Sequence, residues 1–307
     1  MIRTEHLTKH YRALAAVEDV SFEVGPGEVL GFLGPNGAGK TTTMRMLAGF
    51  VTPTSGRASI CGHDVVAEPL AAKSALGYLP EGAPLYGEMT VRRFLAFVAD
   101  LRRLEGARRA QRLAHVIEHL QLASVLEQTI DTLSKGFRRR VGLAQAIVHD
   151  PPVLILDEPT DGLDPNQKHE VRTLINDMAH DKIIVISTHI LEEVEAVCTR
   201  AIIISRGRIV ADDTPAGLAA RSRYHNAVSM RLVEAAQLAA ARSAVAALPS
   251  IAEVEVSERE VRLTALPRSG ATILPAVSEL AARNGLKLKE LHLESGRLDE
   301  VFRTITS

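Results

Sequence analysis

Apolar and polar positions follow two different periods in the first two thirds of the chain. Val17–Val24 alternates polar and apolar residues, as a half-buried strand does, and compact apolar runs elsewhere are typical of buried strands. The further predicted strands are Val29–Leu33, Ser59–Gly62, Leu76–Leu79, Val153–Leu156, Ile183–Ser187, Ala201–Ser205 and Arg208–Asp212. The helices predicted between and after them are Lys40–Phe50, Lys168–Ala179, Leu191–Cys198 and Pro215–Ala220. Strands that alternate with helices predict an α/β fold with a mostly parallel, covered sheet.

The middle of the chain, from Thr90 to about His149, has the pattern of helices with few strand signals. Within it, Arg92–Arg112 carries seven arginines against two acids. We expect a solvated helix surface there, and the same charge would also suit a protein partner or anionic lipid headgroups. Arg138–Arg140 is likewise predicted to be a solvated helix face.

The composition changes near Ala220, where residues 221–223 have the polar character of a linker. The pattern beyond predicts strand, helix, strand, strand, helix, strand and a final helix, at Ala227–Leu232, Glu234–Ala247, Ile251–Val256, Val261–Thr264, Ala271–Arg283, Leu286–Leu293 and Leu298–Ile305. The first six match the split β-α-β order of a ferredoxin-like domain, and no catalytic motif is visible in them. The sequence therefore predicts a domain at 1–220, with a helical subdomain at about 88–150, and a structural or regulatory α+β domain at 222–307.

Composition narrows the functional classes. The 307 residues carry 36 Lys plus Arg against 37 Asp plus Glu, a formal net charge of -1, which argues against nucleic acid as a partner. Two cysteines without a Cys-x-x-Cys pair argue against a disulfide framework or a cysteine zinc site. Because no apolar run approaches the length of a spanning helix, we expect a cytoplasmic protein. Any membrane part would come from another chain.

A glycine-rich loop between a predicted strand and a predicted helix carries the most specific chemical signal. It fits the phosphate-binding pattern G-x-x-x-x-G-K-[ST] at every specified position. Glycines let backbone N–H groups approach phosphate, the lysine reaches the β- and γ-phosphates, and the next hydroxyl can ligate Mg²⁺. The predicted nucleotide-binding residues of this loop are Gly34, Pro35, Asn36, Gly37, Ala38, Gly39, Lys40, Thr41 and Thr42.

Two acids, Asp157 and Glu158, directly follow the predicted strand Val153–Leu156. Ligands of open α/β sheets bind at the carboxyl ends of the strands, so these acids are placed for chemistry. We predict that Asp157 holds Mg²⁺ through its water shell and that Glu158 polarises an attacking water. Taken alone, the pair could equally be solvated acids at a strand end, and the phosphate loop in the same chain favours the catalytic interpretation.

Over about Met1 to Ala220 the chain resembles the ATP-binding subunits of ABC transporters. Its Lys-Gly-Phe sequence at 135–137, its Leu-Pro-Glu sequence at 79–81 and its C-terminal extension resemble the ATPases of exporters in the drug-resistance, gliding-motility and copper-processing branches. The motifs that carry the resemblance occur in the family's order: Tyr11 (aromatic ring on adenine), Gly34–Thr42 (phosphate loop), Tyr78–Glu81 (Q-loop), Leu133–Phe137 (signature), Leu154–Thr160 (Walker B), Gly162–Pro165 (D-loop) and Ser187–His189 (switch). The implied core is that of a P-loop NTPase of ABC type, with ATP and Mg²⁺ as ligands.

The resemblance also implies roles for single residues. The implied catalytic residues are Lys40, Glu158 and His189; the metal ligands are Thr41, Glu81 and Asp157; further nucleotide contacts are Tyr11, Glu81, Ser134, Gly136 and Asp164. The chain departs from the usual family pattern at a few positions. Glu81 stands where a glutamine is usual, and Lys135 and Phe137 replace the third and fifth residues of Leu-Ser-Gly-Gly-Gln.

The resemblance further implies an assembly. Two copies enclose ATP head to tail, and a separate multi-span transmembrane permease holds the dimer at the cytoplasmic face of the membrane and exports a substrate. One alternative is a soluble ABC ATPase that acts on ribosomes or DNA, which the single cassette and the near-neutral charge disfavour. The other is a non-hydrolytic regulator, which is disfavoured by the presence of Lys40, Thr41, Asp157, Glu158 and His189.

Overall fold

The computed structural model describes residues 1–83, 85–268 and 271–306. By packing, the chain divides into two compact units, Met1–Thr214 and Pro215–Ile305. The segment 221–223 is not the predicted free linker, because Ser222 is buried and Arg223 pairs with Glu253 and Glu255 inside the second unit. The division into domains at 1–220 and 222–307, with a helical subdomain at 88–150, stays a prediction. Three positions of the predicted second domain, 269, 270 and 307, lie outside the described residues.

The first unit contains two sheets. Its strands are β1 (Ile2–Tyr11), β2 (Leu14–Val24), β3 (Val29–Leu33), β4 (Ser55–Ile60), β5 (His63–Asp64), β6 (Leu76–Leu79), β7 (Val153–Asp157), β8 (Ile183–Thr188), β9 (Arg200–Ser205) and β10 (Arg208–Asp213). An antiparallel sheet has the order β2-β1-β4-β5, and a second sheet has the order β10-β9-β3-β8-β7-β6. In the second sheet all neighbours are parallel except β10, which is antiparallel to β9.

Side-chain alternation divides the parallel sheet between two cores. Val153 and Ile155 of β7 pack into a core shared with the antiparallel sheet, and Leu154 and Leu156 pack into a core shared with helices. Both faces are therefore covered, which explains why this strand is a continuous apolar run rather than an alternating one.

The helices of the first unit cover and connect these sheets. They are α1 (Lys40–Leu47), α2 (Pro69–Ser74), α3 (Val91–Leu101), α4 (Gly106–His119), α5 (Lys135–Ile147), α6 (Pro165–Ala179) and α7 (Leu191–Val197). Helix α1 ends before the predicted Phe50 because Gly49 adopts a φ of 68°, which terminates helices. The predicted strand Ser59–Gly62 is likewise shorter at its end, because Cys61 and Gly62 form the turn of a hairpin.

The second unit begins with a short helix, α8 (Pro215–Ala219). Its other elements are β11 (Val228–Leu232), α9 (Leu238–Ala246), β12 (Ile251–Ser257), β13 (Arg262–Pro267), α10 (Leu274–Arg283), β14 (Leu288–Leu293) and α11 (Leu298–Thr306). The strands form an antiparallel sheet in the order β12-β13-β11-β14. That order and orientation are those of the ferredoxin-like arrangement predicted from the sequence.

Arginines of the segment 92–112 form ion pairs and hydrogen bonds that a solvated surface would not require. Arg92 pairs with Glu127 at 2.5 Å, and Arg109 pairs with Asp100 at 2.8 Å. Arg102 donates to the carbonyl oxygens of Lys73 and Leu76, so its charge serves to join elements of the same unit. Across the part of the chain that the structure describes, no helix combines the length and the apolarity needed to cross a membrane.

Candidate nucleotide-binding site

Four neighbouring parallel strands end at the same edge of the sheet and bring distant segments together. In the order β3, β8, β7, β6, they lead into the glycine-rich loop, His189, Glu158 and the segment that carries Glu81. These segments enclose a cleft of about 510 Å³. The cleft is lined by Tyr11, Leu14, Ala16, Asn36, Gly37, Gly39, Lys40, Thr41, Thr42, Glu81, Glu158 and His189. The sheet topology therefore assembles most of the site predicted from separate motifs.

The glycine-rich loop is tightly held by its surroundings. A Cβ atom on Gly34 would lie 2.5 Å from the carbonyl oxygen of Ile204, and one on Gly39 would lie 2.5 Å from that of Ala16. Gly39 also has a φ of 109°, which side chains rarely adopt. The Ala38 N–H donates to the Pro35 carbonyl at 3.1 Å, which closes the loop on itself. Glycine is thus needed at both ends of the loop, where it approaches other backbone.

Lys40 begins α1 and is buried at the floor of the cleft. Its Nζ donates to the carbonyl oxygens of Gly34 at 2.7 Å and Pro35 at 3.2 Å. Burial lowers the pKa of this ammonium group, and the nearby carboxylates of Glu158, Asp157 and Glu81 partly oppose that shift. The loop carbonyls offer the Lys40 ammonium group only partial negative charge. A phosphate bound in the cleft would offer it a full negative charge.

Asp157, the last residue of β7, has a fully buried carboxylate. Among the described residues, neither of its oxygens accepts a hydrogen bond of good geometry. Burial raises the pKa of the group, and the nearby hydroxyls of Ser187 and Thr41 partly oppose that shift. A buried carboxylate without partners is costly unless a cation satisfies it. Asp157 and Thr41 therefore fit a Mg²⁺ ion.

The protein donors alone do not make a complete metal cage. Among the described residues, no group of three or more His, Cys, Asp or Glu side chains is arranged to hold a metal ion. This agrees with the chemistry of Mg²⁺, which commonly takes one or two protein ligands together with water and substrate phosphates.

Glu158 and His189 meet at the mouth of the cleft. The Glu158 carboxylate lies 3.0 Å from Nδ1 of His189, and it is only 17% exposed while the imidazole is 48% exposed. The Glu158 N–H donates to the carbonyl oxygen of Ser187 at 2.8 Å, which ties the end of β7 to β8. Glu158 has a φ of 50°, a conformation that is uncommon for a residue with a side chain. The carboxylate is thus held over the loop by both its backbone and its side chain.

Sequence analysis missed Glu193, which is buried in α7 behind His189. Its carboxylate accepts hydrogen bonds from the hydroxyl of Thr188, at 2.8 Å, and from the hydroxyl of Thr160. Burial raises the pKa of Glu193. This carboxylate therefore links the segments that follow β7 and β8. Its spacing of four residues from the buried Val197 is the sequence signal that places it on the inner face of the helix.

The prediction of a solvated face for Arg138–Arg140 is wrong for Arg139. Successive residues of α5 point about 100° apart, so three adjacent arginines cannot share one face. Arg138 is exposed, and Arg140 donates to Gln121 and Glu170. Arg139 is 5% exposed and donates to backbone carbonyl oxygens beneath the cleft, among them that of Pro159 at 3.1 Å.

A family model described as ABC transporter matches residues 17–161. The linearmycin resistance ATP-binding protein LnrL of Bacillus subtilis (strain 168) is 30% identical over 309 residues, which cover 100% of this chain and 98% of the relative. The chain belongs to the family of ABC transporter ATP-binding proteins. The predicted family and the predicted α/β fold of an ABC ATPase are thereby confirmed. The family is one of ATPases that power transport.

Other similarities cover mainly the first unit. The probable multidrug ABC transporter ATP-binding protein YbhF of Escherichia coli (strain K12) is 37% identical over 223 residues, and the chain spans only 38% of that protein. A solved structure of the ATP binding subunit of an ABC transporter is 32% identical, with a TM-score of 0.67 over 71% of this chain and 91% of the other. A dimeric post-hydrolysis structure of the ATP-binding cassette MJ0796 bound to ADP and Pi shares the fold at 21% identity, with a TM-score of 0.66 over 70% of this chain and 99% of the other.

The remaining predicted residues of this ABC ATPase lie outside the cleft. Ser134 caps α5 and accepts a hydrogen bond from the Phe137 N–H at 3.3 Å, and Gly136 packs against the side chain of Gln167. Asp164 caps α6 by accepting from the Gln167 N–H at 3.0 Å. None of Ser134, Gly136 and Asp164 is among the described residues that line the cleft. The structure therefore joins them to each other and not to the phosphate loop of the same chain.

Proposed function

We propose that this chain binds and hydrolyses ATP and thereby powers export through a separate transmembrane permease. The observation that carries the proposal is the convergence of four strand ends on one cleft. There the phosphate loop faces the contact between Glu158 and His189, with Glu81 beside them. Phosphoryl transfer requires positioning and charge stabilisation, and these groups supply both.

Each group has a defined task in the proposed reaction. Lys40 exchanges the carbonyls of Gly34 and Pro35 for the β- and γ-phosphates. Thr41 and Asp157, with Glu81 as a further ligand, would hold Mg²⁺, which would supply positive charge against those phosphates. The Glu158 carboxylate accepts a hydrogen bond from a water aligned with the γ-phosphorus. His189, which also lines the cleft, contacts the γ-phosphate and holds the Glu158 carboxylate in place.

In this proposal the base of the nucleotide stacks on the aromatic ring of Tyr11. This ring borders the cleft and is 46% exposed, with Nζ of Lys9 at 5.2 Å from its centroid. A half-exposed ring offers one face to a planar base while the rest of the side chain stays packed. Stacking there places the phosphates toward the glycine-rich loop.

A second copy of the chain completes the site in our proposal. Ser134, Gly136 and Asp164 lie together outside the cleft, so they would act on the nucleotide of the opposite copy. A head-to-tail homodimer provides this arrangement twice, with equal sites. The MJ0796 cassette, which shares the fold and forms a dimer in its solved structure, supports this assembly.

The permease contact is assigned to an apolar groove of about 790 Å³ in the first unit. Exposed aromatic side chains such as Phe50, Tyr86 and Phe97 line it, and the basic residues Arg45 and Lys73 border it. The chemistry fits a short permease helix that presents apolar side chains next to acids. Tyr78 and Pro80, in the wall of the groove, lead directly to Glu81, so the docked helix would be coupled to the cleft.

The ATPase part of the proposal is tested with Glu158→Gln. We expect ATP binding to be retained, because Lys40 and the loop are unchanged, and hydrolysis to fall by roughly 10²- to 10⁴-fold, as for loss of a general base. Light scattering with MgATP should show accumulation of a dimer. Turnover close to that of the unmodified chain would refute the role of Glu158.

The transport part is tested by purifying the tagged chain from its own cells in mild detergent. We expect a polypeptide with several spanning helices to copurify, in an amount reduced by Phe50→Glu in the groove. The names of relatives, which include linearmycin resistance and multidrug transport proteins, support export as the direction. Copurification of ribosomes or DNA instead would move the chain to the soluble class of ABC ATPases.

A further inference from the structure

The guanidinium group of Arg139 is a buried cation that has no carboxylate partner among the described residues. It lies in α5, and it donates only to main-chain carbonyl oxygens of other segments. Nε donates to Pro159 at 3.1 Å, Nη1 to Pro80 at 3.3 Å, and Nη2 to Asp157 at 2.5 Å and to Glu158. One side chain therefore binds two separate segments of backbone at the floor of the cleft.

These two segments carry the acids of the cleft. Asp157 and Glu158 are themselves acceptors, and Pro80 immediately precedes Glu81. A hydrogen bond to a carbonyl fixes the orientation of its peptide plane, and so fixes the direction in which the adjacent side chains project. A peptide group next to each of the three carboxylates thus accepts a hydrogen bond from one guanidinium.

The strained backbone at Glu158 makes this support necessary. Its φ of 50° is unfavourable for a residue with a side chain, and such a conformation persists only where the surroundings hold it. The Glu158 N–H is held by the Ser187 carbonyl at 2.8 Å, and its carbonyl is held by Arg139. Both polar groups of this residue's backbone are therefore fixed, one by β8 and the other by α5.

The planar fork of arginine is required for these contacts. It presents five N–H donors in fixed directions, whereas a lysine ammonium is a compact group on a flexible stem and cannot span the same acceptors. The neighbouring arginines do not share this role, since Arg138 is exposed and Arg140 donates to Gln121 and Glu170.

We infer that Arg139 is a positioning residue for ATP hydrolysis, which sets the backbone from which Glu81, Asp157 and Glu158 project. The inference rests on the proposed ATPase function. It assigns no contact between Arg139 and the nucleotide. Nucleotide affinity measured without Mg²⁺, which depends on Lys40 and the loop, is therefore expected to survive its replacement, while the chemical step is not.

The test compares the full-length variants Arg139→Gln, Arg139→Lys and Arg139→Ala with the control Arg138→Gln on the exposed face of the same helix. A displacement of about 1 Å at a reacting group can cost on the order of 10²-fold in rate. We expect kcat for ATP to fall by roughly 10- to 100-fold in each Arg139 variant, with the Kd for ATP measured without Mg²⁺ within about threefold of the unmodified chain. The Arg138 variant should keep its kcat.

Chemical rescue separates positioning from general packing. Arg139→Ala leaves space for a guanidinium ion, and a few millimolar guanidinium chloride, far below the molar range that unfolds proteins, should restore part of kcat. The unmodified chain and Arg138→Gln should not respond. An unchanged kcat in Arg139→Gln would overturn the inference. So would loss of ATP binding in all three Arg139 variants, because Arg139 would then be needed for the fold. Absence of ATPase activity in the unmodified chain would refute the proposed function instead.

Discussion

Asp157→Asn is expected to stabilise the empty protein and to remove its response to MgATP. The carboxylate is fully buried, both oxygens lack partners among the described residues, and burial raises its pKa. The asparagine has nearly the same shape but no charge. The substitution therefore removes the cost of burying an unpaired anion, and with it the group that Mg²⁺ would satisfy.

The size of the effect follows from the burial. A buried polar group without a partner costs roughly 1–3 kcal/mol, and an amide recovers only part of that because it too lacks partners. We expect the variant to gain about 1 kcal/mol, or roughly 2–4 °C in Tm for the unit that contains the cleft. With MgATP at a hundred times Kd, the unmodified chain gains about 2.7 kcal/mol and the variant gains far less. The order of stabilities should therefore reverse when MgATP is added.

The pH dependence has a defined sign. Because the folded-state pKa of Asp157 is raised, the folded protein takes up the proton more readily than the unfolded chain does. The unmodified chain therefore becomes relatively more stable as pH falls through that raised pKa. The advantage of the asparagine variant should be full at pH 7 and should disappear on acidification.

The assay is thermal unfolding at pH 7 and at falling pH, with and without MgATP. Asp161→Asn is the matched control, because Asp161 pairs with Lys135 at 3.1 Å, an interaction that lowers the pKa of that carboxyl. Both partners are about half exposed or more, so this substitution should cost at most about 1 kcal/mol and should never stabilise. An Asp157→Asn variant that is less stable than the unmodified chain without ligand at pH 7 would refute the reasoning.

Two further predictions concern the nucleotide itself. Lys40→Ala should weaken ATP binding at least tenfold by calorimetry, because it removes the ammonium group that would leave the loop carbonyls and bind the phosphates. An unchanged affinity would show that the phosphate loop is not part of the nucleotide site. Tyr11→Ala should raise the Kd for ATP by roughly five- to tenfold, because stacking on a base contributes about 1–3 kcal/mol. Its kcat should stay nearly unchanged, because stacking takes no part in phosphoryl transfer. An equal loss of affinity for inorganic triphosphate, which has no base, would contradict the stacking role.

The chemistry of single motifs is determined by the local sequence. The loop from Gly34 to Gly39 lies between β3 and α1 as predicted, and Lys40 and Thr41 begin the helix. The glycines and the apolar run before them specify a strand, a tight turn and a helix start within a few residues. Asp157 and Glu158 lie at the end of β7 for the same reason. The order of elements in the second unit was also predictable, since its periodicity is local.

The tertiary structure alone decided which distant groups meet. The order β3-β8-β7-β6 brings His189 to Glu158, and nothing in the sequence around either residue specifies that contact. The same holds for Arg139. Its neighbours in the sequence predict an exposed side chain, but in the folded protein it lies beneath the acids of the cleft. The run of three arginines gave no signal that Arg139 is buried, because its partners are backbone carbonyls contributed by other segments. Those partners exist only once the sheet and α5 have packed together.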